Sequence, residues 1–319
     1  MLTYKTYVKI LFFILISLII GAIFYAYYFT KNYPLPITGR ISFDAKITFI
    51  KEHIDRKKID TIIVGSSVGL NNVQGTVLEA TSQKCQSVLN LSVYEATPTQ
   101  VEQILELTSI FPHLKRIIYS AQYSDFGYAG KLQDYDPAFI KAYLAGTLTL
   151  KEKISFYFHS CQNIFFCIRR EWNWKGKHLQ NNQFGYLGFD STGSVPLHIY
   201  GDDIIKSRWE KPHFDKQSKE AYYALDRMSQ KARKEKIDFI FVAQPYRGPL
   251  VKNFKHVHPV MQSFSTQAKK IVTNNGGMFL NLHNQLQLDD SYFSDRSHLN
   301  DQGSSLSSEA IGIFIDQTH

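Results

Sequence analysis

The hydrophobic pattern divides the chain into one long apolar run followed by regular alternation. From Val8 to Phe29, "VKILFFILISLIIGAIFYAYYF" carries a single early lysine and no other charge. At about 1.5 Å per residue, such a helix crosses the roughly 30 Å hydrocarbon core of a bilayer. A cleaved signal peptide is the alternative. The run is longer than a usual signal core, however, and no small-x-small cleavage site follows it, so the expectation is an uncleaved anchor. Residues 1–30 are then a short cytoplasmic stub and membrane span, and Tyr25, Tyr27, Tyr28 and Tyr33 form an aromatic belt at the outer interface.

Residues 31–43, containing "KNYPLPITGR", read as a Pro-rich connector, and the globular domain is expected over 44–319. Its first element is an amphipathic helix in "FDAKITFIKEHIDRKKID", with Ile47, Ile50 and Ile54 on one face. Short apolar runs then alternate with helical periods. The predicted strands are "DTIIVG", "SVLNLSV", "RIIYSA", "DFIFVAQP" and "MFLNLH". The predicted helices cover about 71–83, 97–110, 216–236, 256–275 and 302–316. Right-handed crossovers make this an α/β fold, a doubly wound five-stranded parallel sheet in flavodoxin-like order. A long insertion, about 128–216, interrupts the alternation. Its aromatic and basic residues, Arg169, Arg170, Trp172 and Trp174, fit either a lid or polymer-contacting surface or a packed helical insertion without a direct role.

Composition adds ordinary globular values, 44% apolar and 20% charged, with a high aromatic share of 14% that implies a sizeable core. The net charge of +8 is spread through patches such as "RKK" and "KARKEK", favouring anionic headgroups or an acidic surface polymer as partners. Nucleic acid is excluded by the anchor and by the lack of any recognition motif. A short basic amino terminus stays in the cytoplasm, so the domain is expected on the extracytoplasmic side. There, Cys161 and Cys167 form a disulfide or remain two thiols, with Cys85 buried and reduced.

The candidate chemistry lies at the two ends of the domain. "TIIVGSS" delivers Ser66 and Ser67 to the carboxyl end of the first strand, where open α/β sheets place their ligands. "DRSH" sets Asp295 three residues before His298, close enough for the carboxylate to orient the imidazole. The imidazole in turn needs a nucleophile, which either serine supplies. Elsewhere, His256 and His258 have a possible metal-ligand spacing but no carboxylate cluster beside them, so no metal and no cofactor are expected. Tyr246 and Arg247 follow the fourth strand and rim the same sheet edge, where Arg247 either holds an anionic substrate group or is a solvated loop residue.

These blocks resemble the SGNH or GDSL hydrolases, whose first block is strand-Gly-Asp-Ser and whose last is Asp-x-x-His. Here they read Gly65-Ser66-Ser67 and Asp295-Arg296-Ser297-His298. The resemblance makes Ser67 the nucleophile, His298 the general base and Asp295 its orienter. "GSS" looks like the membrane-anchored branch that includes the D-alanyl transfer protein of teichoic-acid loading and, more loosely, alginate O-acetylation proteins. The second block, "LNLSVYEATPTQ", keeps Asn90 but has Glu95 or Ala96 where the family has glycine. The third, "SAQYSDF", lacks the family's asparagine and leaves Gln122, Tyr123 or Ser124 as substitute oxyanion donors.

What the resemblance implies is an extracytoplasmic acyltransferase. An acetyl or similar group would pass through an acyl-enzyme on Ser67 to a cell-surface polymer, with a membrane-bound O-acyltransferase as supplying partner. An O-acetyl or lipid esterase is the alternative within the same chemistry. A non-catalytic binding or assembly protein that keeps the fold is the alternative outside it.

Overall fold

The computed structural model describes residues 3–32, 37–38, 40–152, 155, 184, 187–204, 216–248 and 257–318. Cys161, Cys167, Arg169, Arg170, Trp172, Trp174, His256, Tyr33 and the side chains of Tyr27 and Tyr28 lie outside the described residues.

Helix α1 (Tyr4–Asn32) holds a 22-residue stretch, Tyr4–Tyr25, of mean hydropathy 2.6 whose apolar side chains are largely exposed. By length and composition it is able to cross a membrane. The folded body begins before the expected boundary. Ile37 is fully buried, Thr38 ties its N–H and hydroxyl to Asp44 Oδ1 at 2.8 and 3.0 Å, and α2 runs Ile41–His53.

Helix α2 departs from the amphipathic expectation. Ile54 lies past its end, and Asp44 and Lys46 are buried with Phe43, Ile47, Phe49 and Ile50. The cause is a second cover: the ring of Phe189 lies 4.1 Å beneath the Lys46 ammonium, which also donates to Gly193 O. Part of the long insertion therefore packs on what a sequence pattern reads as the solvent face.

The sheet is β1 (Thr61–Gly65), β2 (Val88–Asn90), β3 (Arg116–Ala121), β4 (Asp238–Ala243) and β5 (Met278–Asn281), all parallel in the order β2-β1-β3-β4-β5. Successive residues point to opposite faces. Ile62, Val64, Ile117, Tyr119, Phe239 and Phe241 pack under α2, α5 (Pro98–Ile104), α7 (Lys219–Lys234) and α8 (Val257–Asn274). Ile63, Ile118, Ile240 and Val242 pack under α3 (Ser67–Asn72), α4 (Gly75–Thr81) and α10 (Asp301–Gln317). Both faces are covered, which is why these strands read as continuous apolar runs. The insertion adds α6 (Pro137–Ala145), and α9 (Leu282–Leu286) follows β5 directly.

The helix expected over 71–83 is two short ones. Ser66 caps α3, its hydroxyl accepting the Val68 N–H at 3.4 Å. The carboxyl end of α3 is stopped by Asn90, whose Nδ2 donates to Gly69 O at 2.9 Å and Val73 O at 3.3 Å. The chain restarts at Gly75 after Gln74 turns to α10, where its N–H meets Ser308 Oγ at 2.8 Å. Early helix start and early stop together put Ser67 at the first turn of α3. The order reverses between β1 and β3, so the crevice outside their carboxyl ends is the place this topology reserves for a ligand.

Candidate active site

Strand β1 ends in Gly65, and no side chain fits there because a Cβ would lie 2.1 Å from Ser120 O on β3. That close approach lets the backbone turn into α3 with Ser67 facing the crevice. Just before α10, Phe293 and Leu299 pair in a single antiparallel bridge that closes the loop 294–298. Asp295 organises this loop with both carboxylate oxygens. Oδ1 accepts the N–H groups of Ser297 and His298, each at 2.8 Å, and Oδ2 lies 2.7 Å from His298 Nδ1. His298 Nε2 lies 2.7 Å from Ser67 Oγ. Residues 231 positions apart are thereby joined in one hydrogen-bonded chain from carboxylate to imidazole to hydroxyl. With Nδ1–H given to the carboxylate, Nε2 is free to take the serine proton.

The electrostatics agree with that order. Burial alone would raise the Asp295 carboxyl, but the hydrogen bond and charge of His298 and the two backbone N–H groups outweigh it and bring it down to about 2. It is a permanent anion at neutral pH.

Two amides outside the chain hold its parts in place. Asn72, fully buried at the end of α3, donates from Nδ2 to Ser297 O at 3.1 Å and accepts the Leu299 N–H at 2.9 Å, so it brackets His298. Gln122 donates from Nε2 to Ser297 O at 2.9 Å and Pro245 O at 2.8 Å. That commitment removes the Gln122 amide from the expected oxyanion donors.

Several other expected residues do other work. Ser66 is buried and hydrogen-bonds Asp125 while capping α3, so its hydroxyl does not line the cavity. Asn90 is a buried backbone cap, as described above, and also donates to Ser194 Oγ at 3.1 Å. Tyr123 is buried with its ring edge-on to Phe264. The N–H of Ala96 is bonded to Val93 O. Arg247 is buried against Asp290 in a two-point ion pair, Nε to Oδ1 at 3.0 Å and Nη2 to Oδ2 at 2.5 Å, which occupies the guanidinium. Ser124 does line the cavity, with its N–H and hydroxyl both paired to the Tyr246 hydroxyl.

Glu95 is the second-block residue that reaches the site. It lines the cavity in a left-handed conformation, φ 58°, the geometry a glycine would adopt without strain. Among the described residues, neither its N–H nor that of Ser67 has a protein acceptor. Two backbone donors are thus available for a developing oxyanion.

The cavity has a volume of about 610 Å³, within the range of small-ligand sites. Besides the residues named, it is lined by Asn71, Tyr94, Asp125 and Arg296, and by Leu197 and Ile199 from the insertion. None of these was a candidate from sequence. Asn71 was detectable in principle, since it lies four residues after Ser67 on one helix and so shares its face. Leu197 is fixed by pairing with Asn300, its carbonyl accepting the Asp301 N–H at 2.8 Å. Among the described residues, no cluster of three His, Cys, Asp or Glu side chains is placed to hold a metal ion. Cys85 is a free, buried thiol.

No family model and no curated protein matches the sequence. Similar solved structures exist. One is described as a lipolytic protein of the G-D-S-L family from Desulfitobacterium hafniense, 12% identical, covering 80% of this chain and 99% of that one with a TM-score of 0.37. An acetylxylan esterase from Geobacillus stearothermophilus is 12% identical over 82% of this chain and 96% of its own, TM-score 0.42. An α/β hydrolase from the metagenome of Lake Arreo is 10% identical over 82% and 97%, TM-score 0.44. At these values the chemistry of the site rests on its own geometry.

Proposed function

We propose that this chain is a membrane-anchored serine acyl-transfer enzyme of the SGNH type. The observation that carries the reading is the unbroken contact from Asp295 through His298 to Ser67, with 2.7 Å at both ends of the imidazole. His298 takes the proton of Ser67 as its oxygen attacks an ester or thioester carbonyl, and Asp295 stabilises the imidazolium that results. The N–H groups of Ser67 and Glu95 receive the oxyanion. His298 returns the proton to the leaving group, and a second hydroxyl, assisted in the same way, releases the acyl group from Ser67.

A transferase that delivers acyl groups to an anionic cell-surface polymer is supported by the apolar helix α1 and by the +8 charge of the chain. An acyl donor supplied by a membrane-bound O-acyltransferase and an extracytoplasmic site are parts of the same proposal. An esterase differs only in letting water act as the second nucleophile. The two are separated by incubating the protein with a labelled acyl ester and a polymer acceptor. Label in the polymer supports transfer; label only in free acid supports the esterase.

A further inference from the structure

Two polar groups in the cavity have no part in the proton chain. Asn71 is 3% exposed, lines the cavity one turn beyond Ser67, and its Oδ1 is buried without a hydrogen-bond partner among the described residues. Its amide is otherwise engaged with the Tyr94 hydroxyl. A buried acceptor left unpaired by the protein calls for a partner of another kind, a bound water or a ligand, and this one borders the cavity. Asp125, half-buried on the turn after β3, lines the same cavity. Its Oδ2 accepts the Gln122 N–H at 2.7 Å and its carboxyl is hydrogen-bonded by Ser66. A carboxylate has about four lone-pair sites, so capacity remains for a ligand donor.

We propose that Asn71 and Asp125 form the acceptor subsite of the acyl-transfer reaction, two oxygen acceptors beside Ser67 that bind neighbouring hydroxyls of a polyol or sugar. The inference rests on the acyl-transfer reading of Ser67. One hydroxyl of the bound acceptor attacks the carbonyl carbon of the Ser67 ester. The new carbon-oxygen bond forms, the bond to Ser67 Oγ breaks, and the attacking proton passes to His298 Nε2 and from there to Ser67 Oγ. The remaining hydroxyls donate to Asn71 Oδ1 and Asp125, orienting the one that reacts. Water and simple monoalcohols have no further hydroxyls to reach the two acceptors while their one oxygen attacks. The subsite therefore gives a physical basis for transfer over hydrolysis.

The test uses the full chain in detergent, 4-nitrophenyl acetate as donor, and glycerol or 1-propanol at equal concentration as acceptor. Products are counted as acetyl ester against free acetate, a ratio drawn from one acyl-enzyme pool whatever its rate of formation. The wild type is expected to favour glycerol over 1-propanol about tenfold. Asn71→Leu and Asp125→Ala should each reduce that preference about fivefold, the scale of one lost hydrogen bond. Asn71→Asp, which keeps an oxygen acceptor, should retain most of it. Should Asn71→Leu fail to fold, Asp125→Ala alone decides. No preference for glycerol in the wild type, or a preference that survives in the folded variants, overturns the subsite. No nitrophenol release together with no covalent labelling of Ser67 overturns the acyl-transfer reading itself, and the subsite with it.

Discussion

The side-chain oxygen of Asn72 accepts the backbone N–H of Leu299 at 2.9 Å, while its Nδ2 donates to Ser297 O at 3.1 Å. One buried amide on the helix that begins with Ser67 thus grips the loop that carries His298 from both sides. The 2.7 Å contact between Ser67 and His298 depends on this clamp. Asn72→Ala leaves a buried N–H unpaired and removes a donor from Ser297 O, for a loss of about 2 kcal/mol in stability. Ester hydrolysis should fall by about ten- to a hundredfold, as expected when a positioning partner is lost. Thermal melting and ester hydrolysis together check both parts, and Asn72→Asp, which keeps the Leu299 acceptor, should lose less.

Gly65 makes the strand-to-helix turn possible because a Cβ would meet Ser120 O at 2.1 Å. Gly65→Ala therefore forces β1 away from β3 at the residue before the Ser66–Ser67 pair. A destabilisation of roughly 1–3 kcal/mol is expected, the range of overpacking in a well-packed interior. Activity per folded molecule should also fall, measured by active-site titration of the soluble fraction.

Acid dependence follows from two carboxylates with opposite signs. Asp295 is held at about 2, below its ordinary value of 3.8, so its contribution is fully present above pH 4 and is lost as pH falls toward 2. The contribution is roughly 2 kcal/mol. Asp125 is pushed up to about 6, chiefly by burial against the opposing effects of the Gln122 N–H, Ser66 and His298. There the folded state holds more protons than the unfolded one between pH 4 and 6, so its ionisation lowers stability as pH rises through that window. In urea unfolding, the stability deficit of Asp295→Asn should shrink on acidification from pH 5 to pH 2. Asp125→Asn should gain on the wild type between pH 4 and pH 7.

The Lys46 ammonium, brought down to about 7 by burial despite the nearby Asp190 charge, anchors the insertion to α2. Lys46→Met removes the donor to Gly193 O and the positive charge that faces Asp190, for a loss of about 1–3 kcal/mol, the scale of a buried hydrogen bond left unmade. The double variant Lys46→Met with Asp190→Asn should recover the part that comes from the Asp190 charge, as read in a double-mutant cycle by denaturant unfolding. Because the unfolded state of the wild type binds more protons between pH 7 and 10, this lysine also makes stability rise with pH across that window.

The order of the sheet was legible because β1, β3 and β4 are buried on both faces and announce themselves as unbroken apolar runs. Ser67, His298 and Asp295 were legible because strand end and Asp-x-x-His spacing are local features. Asn90, Gln122 and Arg247 were not, since their partners, Gly69, Ser297 and Asp290, are distant in sequence, and a polar side chain looks the same whether it meets a ligand or caps a carbonyl. Lys46 was hidden for the same reason: Phe189 and Gly193, which cover it, come more than a hundred residues later. The cavity wall of Asn71, Asp125 and Arg296 exists only once three separate segments meet.

The most direct measurement is covalent labelling of the folded protein by a fluorophosphonate, with the modified residue located by mass spectrometry. Labelling is predicted on Ser67, abolished in Ser67→Ala, retained in Ser66→Ala, and slowed about a thousandfold or more in His298→Ala. No labelling of the folded wild type, or labelling lost only in Ser66→Ala, would contradict Ser67 as the nucleophile.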